Sequence, residues 1–278
     1  MKTWLITGAS SGIGYGIAQA AMERGDKAII AARSEDKLQA LADRFPDQAQ
    51  VLVLDVSDAG SIAQAMTQIA DRLDDVDVLV NNAGYGYRAA VEEGEEAEIR
   101  KLYDTNVWGP VRLMKAVLPH MRARKQGTII NVSSIAAVRP GVGSGYYSSS
   151  KAALERLSDA VSEEVQHLGI HVMIVEPGAF RTAFFDALHG TGTKAPIDDY
   201  DATAGKNRVE NIVNHHDQRG NPAAAGQCLV DLVHKGCFPG RLALGPDALQ
   251  YISQELTRRQ EELKAWQEIS RKTDFPKA

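Results

Sequence analysis

Short apolar runs rich in β-branched residues alternate along the chain with longer stretches in which apolar positions recur every three or four residues. The runs at 2–7, 27–32, 50–54, 77–80, 128–132 and 171–175 predict strands, with a last short one at 242–244. Helices are predicted over 13–24, 35–44, 61–73, 95–122, 147–168 and 222–235. The strands are apolar on both faces, as in a parallel sheet covered by helices on each side. The alternation therefore predicts an α/β fold, a Rossmann-like doubly wound parallel sheet of about seven strands. Gly109-Pro110 falls inside the long 95–122 stretch and predicts a bend there.

No repeat, low-complexity segment or linker interrupts the pattern, so residues 1–278 are expected to form one domain. The alternation lapses after Pro177, where 180–221 mixes small and polar residues with Phe184-Phe185 and His215-His216. Such a stretch reads as a substrate lid with short helices of its own. The final run, 249–270, sets Leu249, Ile252, Leu256, Leu263 and Trp266 near heptad spacing, with Arg259 breaking the stripe. It predicts a C-terminal helical extension lying on its own domain in preference to a coiled-coil seam.

Composition narrows the partners. A net charge of −5 offers nothing to nucleic acid or to an anionic membrane surface. No apolar run approaches the ~20 residues of a membrane span, and no signal-type apolar core follows Met1, so a cytoplasmic protein is expected. Cys228 and Cys237 lack a CxxC partner and read as reduced thiols packed in or near the core. His215-His216 has no accompanying ligand set, and no metal is expected.

Thr7-Gly8-Ala9-Ser10-Ser11-Gly12-Ile13-Gly14 joins the first strand to the first helix. Glycines there allow a tight turn and close approach of a ligand, and the helix N-terminus behind them suits a pyrophosphate. The spacing is G-x3-G-x-G rather than G-x-G-x-x-G. Where an NAD site carries an acid at the end of the second strand, this chain reads Ala31-Ala32-Arg33, with Glu35 and Asp36 arriving only in the next helix. An arginine there accommodates a 2′-phosphate, which predicts NADP(H) over NAD(H).

Tyr147-Ser148-Ser149-Ser150-Lys151 puts a phenol and an ammonium four residues apart on one helical face. A cation held close favours the phenolate, which would fit Tyr147 for acid or base work.

Taken together, Thr7-Gly8-x-x-x-Gly12-x-Gly14, Asn81-Asn82-Ala83-Gly84, Asn106, Ser133-Ser134, Tyr147-x-x-x-Lys151 and Pro177-Gly178 resemble the short-chain dehydrogenase/reductase family over residues 1–245. The resemblance implies that Tyr147 donates the proton in carbonyl reduction, that Lys151 lowers its pKa and holds the nicotinamide ribose, and that Ser134, thirteen positions before Tyr147, hydrogen-bonds the substrate oxygen. Asn106 would bind a water leading from Lys151 to solvent, and Ser133 would serve the backbone. Tyr146 is excluded, since Ser150 stands four residues beyond it. The cofactor would touch Gly8, Ser10, Ser11, Gly12, Ile13, Gly14, Arg33, Asp55, Val56, Asn82, Ala83, Gly84, Pro177, Gly178 and Thr182, besides Tyr147 and Lys151.

Tyr85, Phe184 and Phe185 are candidate substrate contacts, with Tyr87, Val138, Val142 and Leu188 near them in sequence. Residues 84–188 look somewhat like the branch holding 17β-hydroxysteroid and retinol dehydrogenases, which points to a small-molecule hydrophobic carbonyl or the matching alcohol. Family members assemble through the helices beginning near Glu95 and Tyr147, so a homodimer is expected, with a tetramer as the alternative. Two rivals stay open: an epimerase or dehydratase on the same fold, and an NADP(H)-binding sensor or scaffold without turnover.

Overall fold

The apolar runs form seven strands of one sheet: Thr3–Thr7 (β1), Lys27–Ala32 (β2), Ala49–Val53 (β3), Val78–Asn81 (β4), Gly127–Val132 (β5), Ile170–Pro177 (β6) and Arg241–Leu244 (β7). The computed structural model describes residues 1–184, 192–213 and 217–275. The strand order is β3-β2-β1-β4-β5-β6-β7, and every pairing is parallel. Order reverses between β1 and β4, so their carboxyl ends open a crevice suited to a ligand.

Helices Gly12–Glu23 (α1), Glu35–Ala42 (α2), Ala59–Gln68 (α3), Glu96–Tyr103 (α4), Gly109–Arg124 (α5), Gly145–Val165 (α6), Lys206–Val213 (α7), Pro222–His234 (α8) and Pro246–Ser270 (α9) follow in chain order. Successive strand residues point to opposite faces. Trp4 and Ile6 therefore join one core with Ile17 of α1, Leu38 of α2 and Leu229 of α8, while Leu5 joins the other with Ile62 of α3 and Val117 of α5. The first core allows α1 and α8 to touch backbone to backbone: a Cβ on Gly226 would lie 2.2 Å from the Gly16 carbonyl carbon.

The bend expected near Gly109-Pro110 is a single π-helical turn, Asp104–Trp108, between α4 and α5. Pro110 has no N–H and its ring crowds the carbonyl four residues back, so the regular hydrogen-bond ladder cannot run through it. The widened turn carries Asn106 to a fully buried position.

Past Pro177 the chain builds short pieces of its own: a 3₁₀ turn at Asp198–Tyr200, a π turn at Asp201–Gly205, and α7. They are tied to 88–95, with Arg208 paired to buried Glu93 at 2.7 Å and Tyr200 donating to Glu92. Phe185, Leu188, His215 and His216 lie outside the described residues.

Two expectations are corrected. Cys228 and Cys237 are free but exposed, because α8 turns only Ala225, Gly226, Leu229, Val230 and Val233 inward and Cys237 follows its end. The C-terminal helix does not lie on its domain with its apolar stripe inward. Only Ala248 and Glu255 of α9 are buried, while Leu249, Leu263 and Trp266 are 63%, 74% and 62% exposed. Its base is held by polar contacts instead, Arg259 donating to the Val138 carbonyl and Arg139 stacking on Tyr251. Among the described residues no helix is long and apolar enough to cross a membrane.

Candidate active site

The turn after β1 is shaped for something larger than itself. Gly8 and Gly12 adopt φ of +67° and +59°, where a side chain is strained. A Cβ on Gly14 would meet the Asn82 amide at 2.4 Å and the Gly8 carbonyl oxygen at 2.5 Å. Asn82 Nδ2 donates to the Thr7 and Gly8 carbonyls, and Thr7 Oγ1 accepts from the Asn82 and Ala83 amides, so the Asn-Asn-Ala-Gly turn braces the glycine turn across the β1–β4 boundary. Ser11, the N-cap of α1, makes no side-chain cap, and no acidic residue stands in the first turn. The first N–H groups of α1 thus face the crevice with their partial positive charge uncancelled, which fits a pyrophosphate. Thr182 lies against Gly12.

At the far end of β2, Arg33 is exposed and no acid accompanies it. Asp55 caps its own turn, accepting from the amide and hydroxyl of Ser57. Val56 is buried. Pro177 ends β6, and a Cβ on Gly178 would meet the Asp247 carboxylate at 2.3 Å.

Ser134 follows β5 and Tyr147 stands in the first turn of α6, which brings both to the carboxyl edge of the sheet. The Tyr147 phenol lies beside the Ser134 side chain, whose oxygen accepts from the Ala136 amide at 3.1 Å. Lys151, one turn along, is buried and donates to the Val132 carbonyl at 2.9 Å. Gly84 sits between Lys151 and Asn106: a Cβ there would lie 3.1 Å from Lys151 Nζ and 3.0 Å from Asn106 Oδ1. Asn106 Nδ2 donates to the Tyr85 carbonyl and to Ser150 Oγ, and its Oδ1 accepts from the Tyr85 amide, so its side chain ties loop to helix. Phe184 closes over Tyr147 with ring centroids 5.6 Å apart.

Burial pushes the Tyr147 phenol above its ordinary range, while the neighbouring Ser134 hydroxyl and the Arg88 guanidinium act the other way. Burial lowers Lys151 to about 8, opposed by the Glu155 carboxylate. The charge that opposes the rise of the phenol is that of Arg88, and the Lys151 ammonium donates to a backbone carbonyl.

Three groups escaped the sequence reading. Arg88 stands over the Tyr147 ring at 5.7 Å. Glu155, four residues after Lys151, accepts from Ser133 at 2.7 Å, so Ser133 serves a side chain and not the backbone. Glu176, at the end of β6, is buried beside Glu155, with Arg241 3.8 Å from each. Helical spacing from Lys151 was a usable signal for Glu155, and a charge inside the apolar run Val175-Glu176-Pro177 was one for Glu176. Tyr85 packs with Tyr87, Ala89 and Leu102, and its hydroxyl is pushed up to about 12 by burial and by Glu98, with Arg33 opposing. Tyr146 donates instead to the Val91 carbonyl.

A parallel doubly wound sheet with a glycine cradle at its switch point and a serine, tyrosine and lysine gathered beside it defines a class of α/β oxidoreductases. The chain matches the short chain dehydrogenase family over residues 2–191, and it belongs to that family. It is 36% identical over 244 residues to a 3-ketodihydrosphingosine reductase of Bacteroides thetaiotaomicron, covering 87% of each chain. Among solved structures it resembles a short-chain dehydrogenase of Streptomyces avermitilis, with a TM-score of 0.87, 39% identity and coverage of 99% and 100% of the two chains. An alcohol dehydrogenase of Thermococcus sibiricus complexed with 5-hydroxy-NADP matches at a TM-score of 0.71 and 28% identity, over 88% of this chain and 96% of that one.

Proposed function

We propose that the protein is a cytoplasmic NADP(H)-dependent oxidoreductase that interconverts a hydrophobic ketone or aldehyde with its alcohol. The observation that carries the reading is the Ser134 side chain set beside the Tyr147 phenol at the sheet's carboxyl edge, the same edge as the uncapped glycine turn. The crevice residues fit a dinucleotide: the α1 N-terminus and Gly8, Gly12 and Gly14 for the pyrophosphate, Lys151 for the ribose, and exposed Arg33 for a 2′-phosphate. When bound, that cofactor supplies or accepts the hydride.

The chain's own residues handle the oxygen and the proton. As the carbonyl carbon gains hydride, negative charge grows on its oxygen, and two hydroxyl donors aimed there, Ser134 and Tyr147, stabilise it. Tyr147 hands over its proton in reduction and takes one back in oxidation. Lys151, held at the Val132 carbonyl with a pKa near 8, is one turn away and can restore that proton at neutral pH. Phe184 gives the pocket an apolar wall and helps exclude water. We assign the 180–221 segment as the lid. The exposed Trp108 and Leu157 beside α4 and on α6 support assembly as a homodimer through these helices.

Tyr147→Phe should lower NADPH-dependent reduction of a carbonyl panel by about 10³-fold or more, with NADPH binding retained. Substantial turnover by this variant would refute the mechanism. A wild-type protein that binds NADPH but fails to oxidise it with any carbonyl of the panel would favour the sensor or scaffold reading.

A further inference from the structure

Among the described residues each buried carboxylate faces a basic side chain, while two cations beside the reacting hydroxyls lack a carboxylate partner: buried Lys151, which donates to the Val132 carbonyl, and partly buried Arg88. Glu93 is taken up by Arg208 and by the amides of Ala90 and Ile197, and Glu155 and Glu176 share Arg241. Arg88 has no carboxylate partner among the described residues. Its Nη1 meets the neutral Ser144 hydroxyl at 2.6 Å, and its Nε is sealed from solvent with no acceptor. The nearest titratable group acting on it is the Tyr147 phenol, which burial keeps neutral.

An arginine cannot shed its charge, so shielding it without an anion is costly. This one is also held rigidly. Its carbonyl accepts from Thr193 at 3.1 Å, and the next amide, that of Ala89, donates to Gly143. The guanidinium is thereby fixed 5.7 Å from the centre of the Tyr147 ring, on a site where a substrate oxygen would meet Tyr147 and Ser134.

We propose that Arg88 selects the substrate by binding a carboxylate on it, so that the enzyme acts on oxo acids or the corresponding hydroxy acids whose carbonyl and carboxylate are a few bonds apart. One guanidinium matches one singly charged, fork-shaped group. A phosphate dianion would call for a second cation, and Lys151 is turned away to the Val132 carbonyl. Phe184 covers the Tyr147 ring as well, leaving an apolar wall for the rest of the molecule. The inference rests on the carbonyl-reductase reading above and gives its hydrophobic substrate a charged end.

The test compares α-, γ- and δ-oxo acids of increasing chain length with their methyl esters, using NADPH and the wild-type, Arg88→Gln, Arg88→Lys and Ser144→Ala enzymes. In the wild type, kcat/KM for the best acid should exceed that for its ester by about 10- to 100-fold. The acid-to-ester ratio should fall to about one in Arg88→Gln and to intermediate values in Arg88→Lys and Ser144→Ala, whose charge is kept but whose fork is lost or loosened. A parallel arm titrates the same acids calorimetrically into NADPH-loaded Tyr147→Phe enzyme, with and without Arg88→Gln, and should show affinity weakened tenfold or more by the second change. An equal loss for acid and ester with a shifted pH profile would overturn the proposal, since Arg88 would then act on Tyr147 alone. Preference for the ester in the wild type would overturn it too. Should no member of any pair be reduced, the reductase reading fails, and calorimetry still decides whether Arg88 holds the carboxylate. If circular dichroism shows Arg88→Gln unfolded, the ratios from Arg88→Lys and Ser144→Ala decide.

Discussion

Glu176→Gln should make the protein more stable at pH 8 while leaving it nearly unchanged at pH 5. Burial, then the neighbouring Glu155, raises Glu176 from 4.5 to about 7, with Arg241 and Arg156 opposing. One of its carboxylate oxygens is buried without a hydrogen-bond partner. The charged and titratable groups around it are Glu155, Arg156 and Asp159 of α6 and Arg241 of β7, with Lys151 one turn further along α6. A carboxyl whose folded-state pKa is raised binds more protons folded than unfolded, so its stabilising contribution is complete below about pH 4.5 and is lost as pH rises through 7. The full shift corresponds to about 3 kcal/mol, of which about 2.5 kcal/mol is lost between pH 5 and pH 8. Glutamine keeps the shape of the protonated acid and cannot ionise, so it escapes that loss. Arg241 stays neutralised by Asp159, at 2.7 Å to both oxygens, and by Glu155. Urea unfolding followed by tryptophan fluorescence at pH 5, 6, 7 and 8 reads the difference between variant and wild type, in which other titrating groups largely cancel. A difference that stays flat from pH 5 to 8, or a variant less stable at pH 8, would refute the reasoning.

Arg33→Ala should raise KM for NADPH by about tenfold or more and leave that for NADH nearly unchanged, since one charge-assisted contact to a phosphate is removed; steady-state kinetics with both cofactors checks it. Gly226→Ala should cost about 2–3 kcal/mol in chemical denaturation, because the added Cβ would stand 2.2 Å from the Gly16 carbonyl carbon and α1 and α8 would have to separate.

What the sequence disclosed, and what it withheld, divides by how far the physics reaches along the chain. The seven strands were legible because each is a local apolar run whose burial on both faces leaves the same mark wherever it sits. The glycine turn was legible for a similar reason: positive φ at Gly8 and Gly12 is a demand of the backbone at those positions. Ser134 and Tyr147 are thirteen positions apart, and what joins them is the crossover from β5 to α6, which a motif with fixed spacing encodes. Arg88 carries no such mark. Its meaning comes from the absence of a carboxylate partner among the described residues, and Glu93, only five residues on, looks like a partner in sequence until Arg208 is seen to occupy it. The stripe on α9 failed in the opposite direction. Heptad spacing states that a helix has an apolar face, but it does not state what covers that face, and here polar contacts from Arg259 and Arg139 anchor the helix while Leu249, Leu263 and Trp266 stay exposed. Helical spacing likewise brings Lys151 to the face of Tyr147, but it does not show that the Val132 carbonyl at the end of β5 accepts from its ammonium. Periodicity fixes which way a side chain faces, and the partner that captures it is a property of the fold.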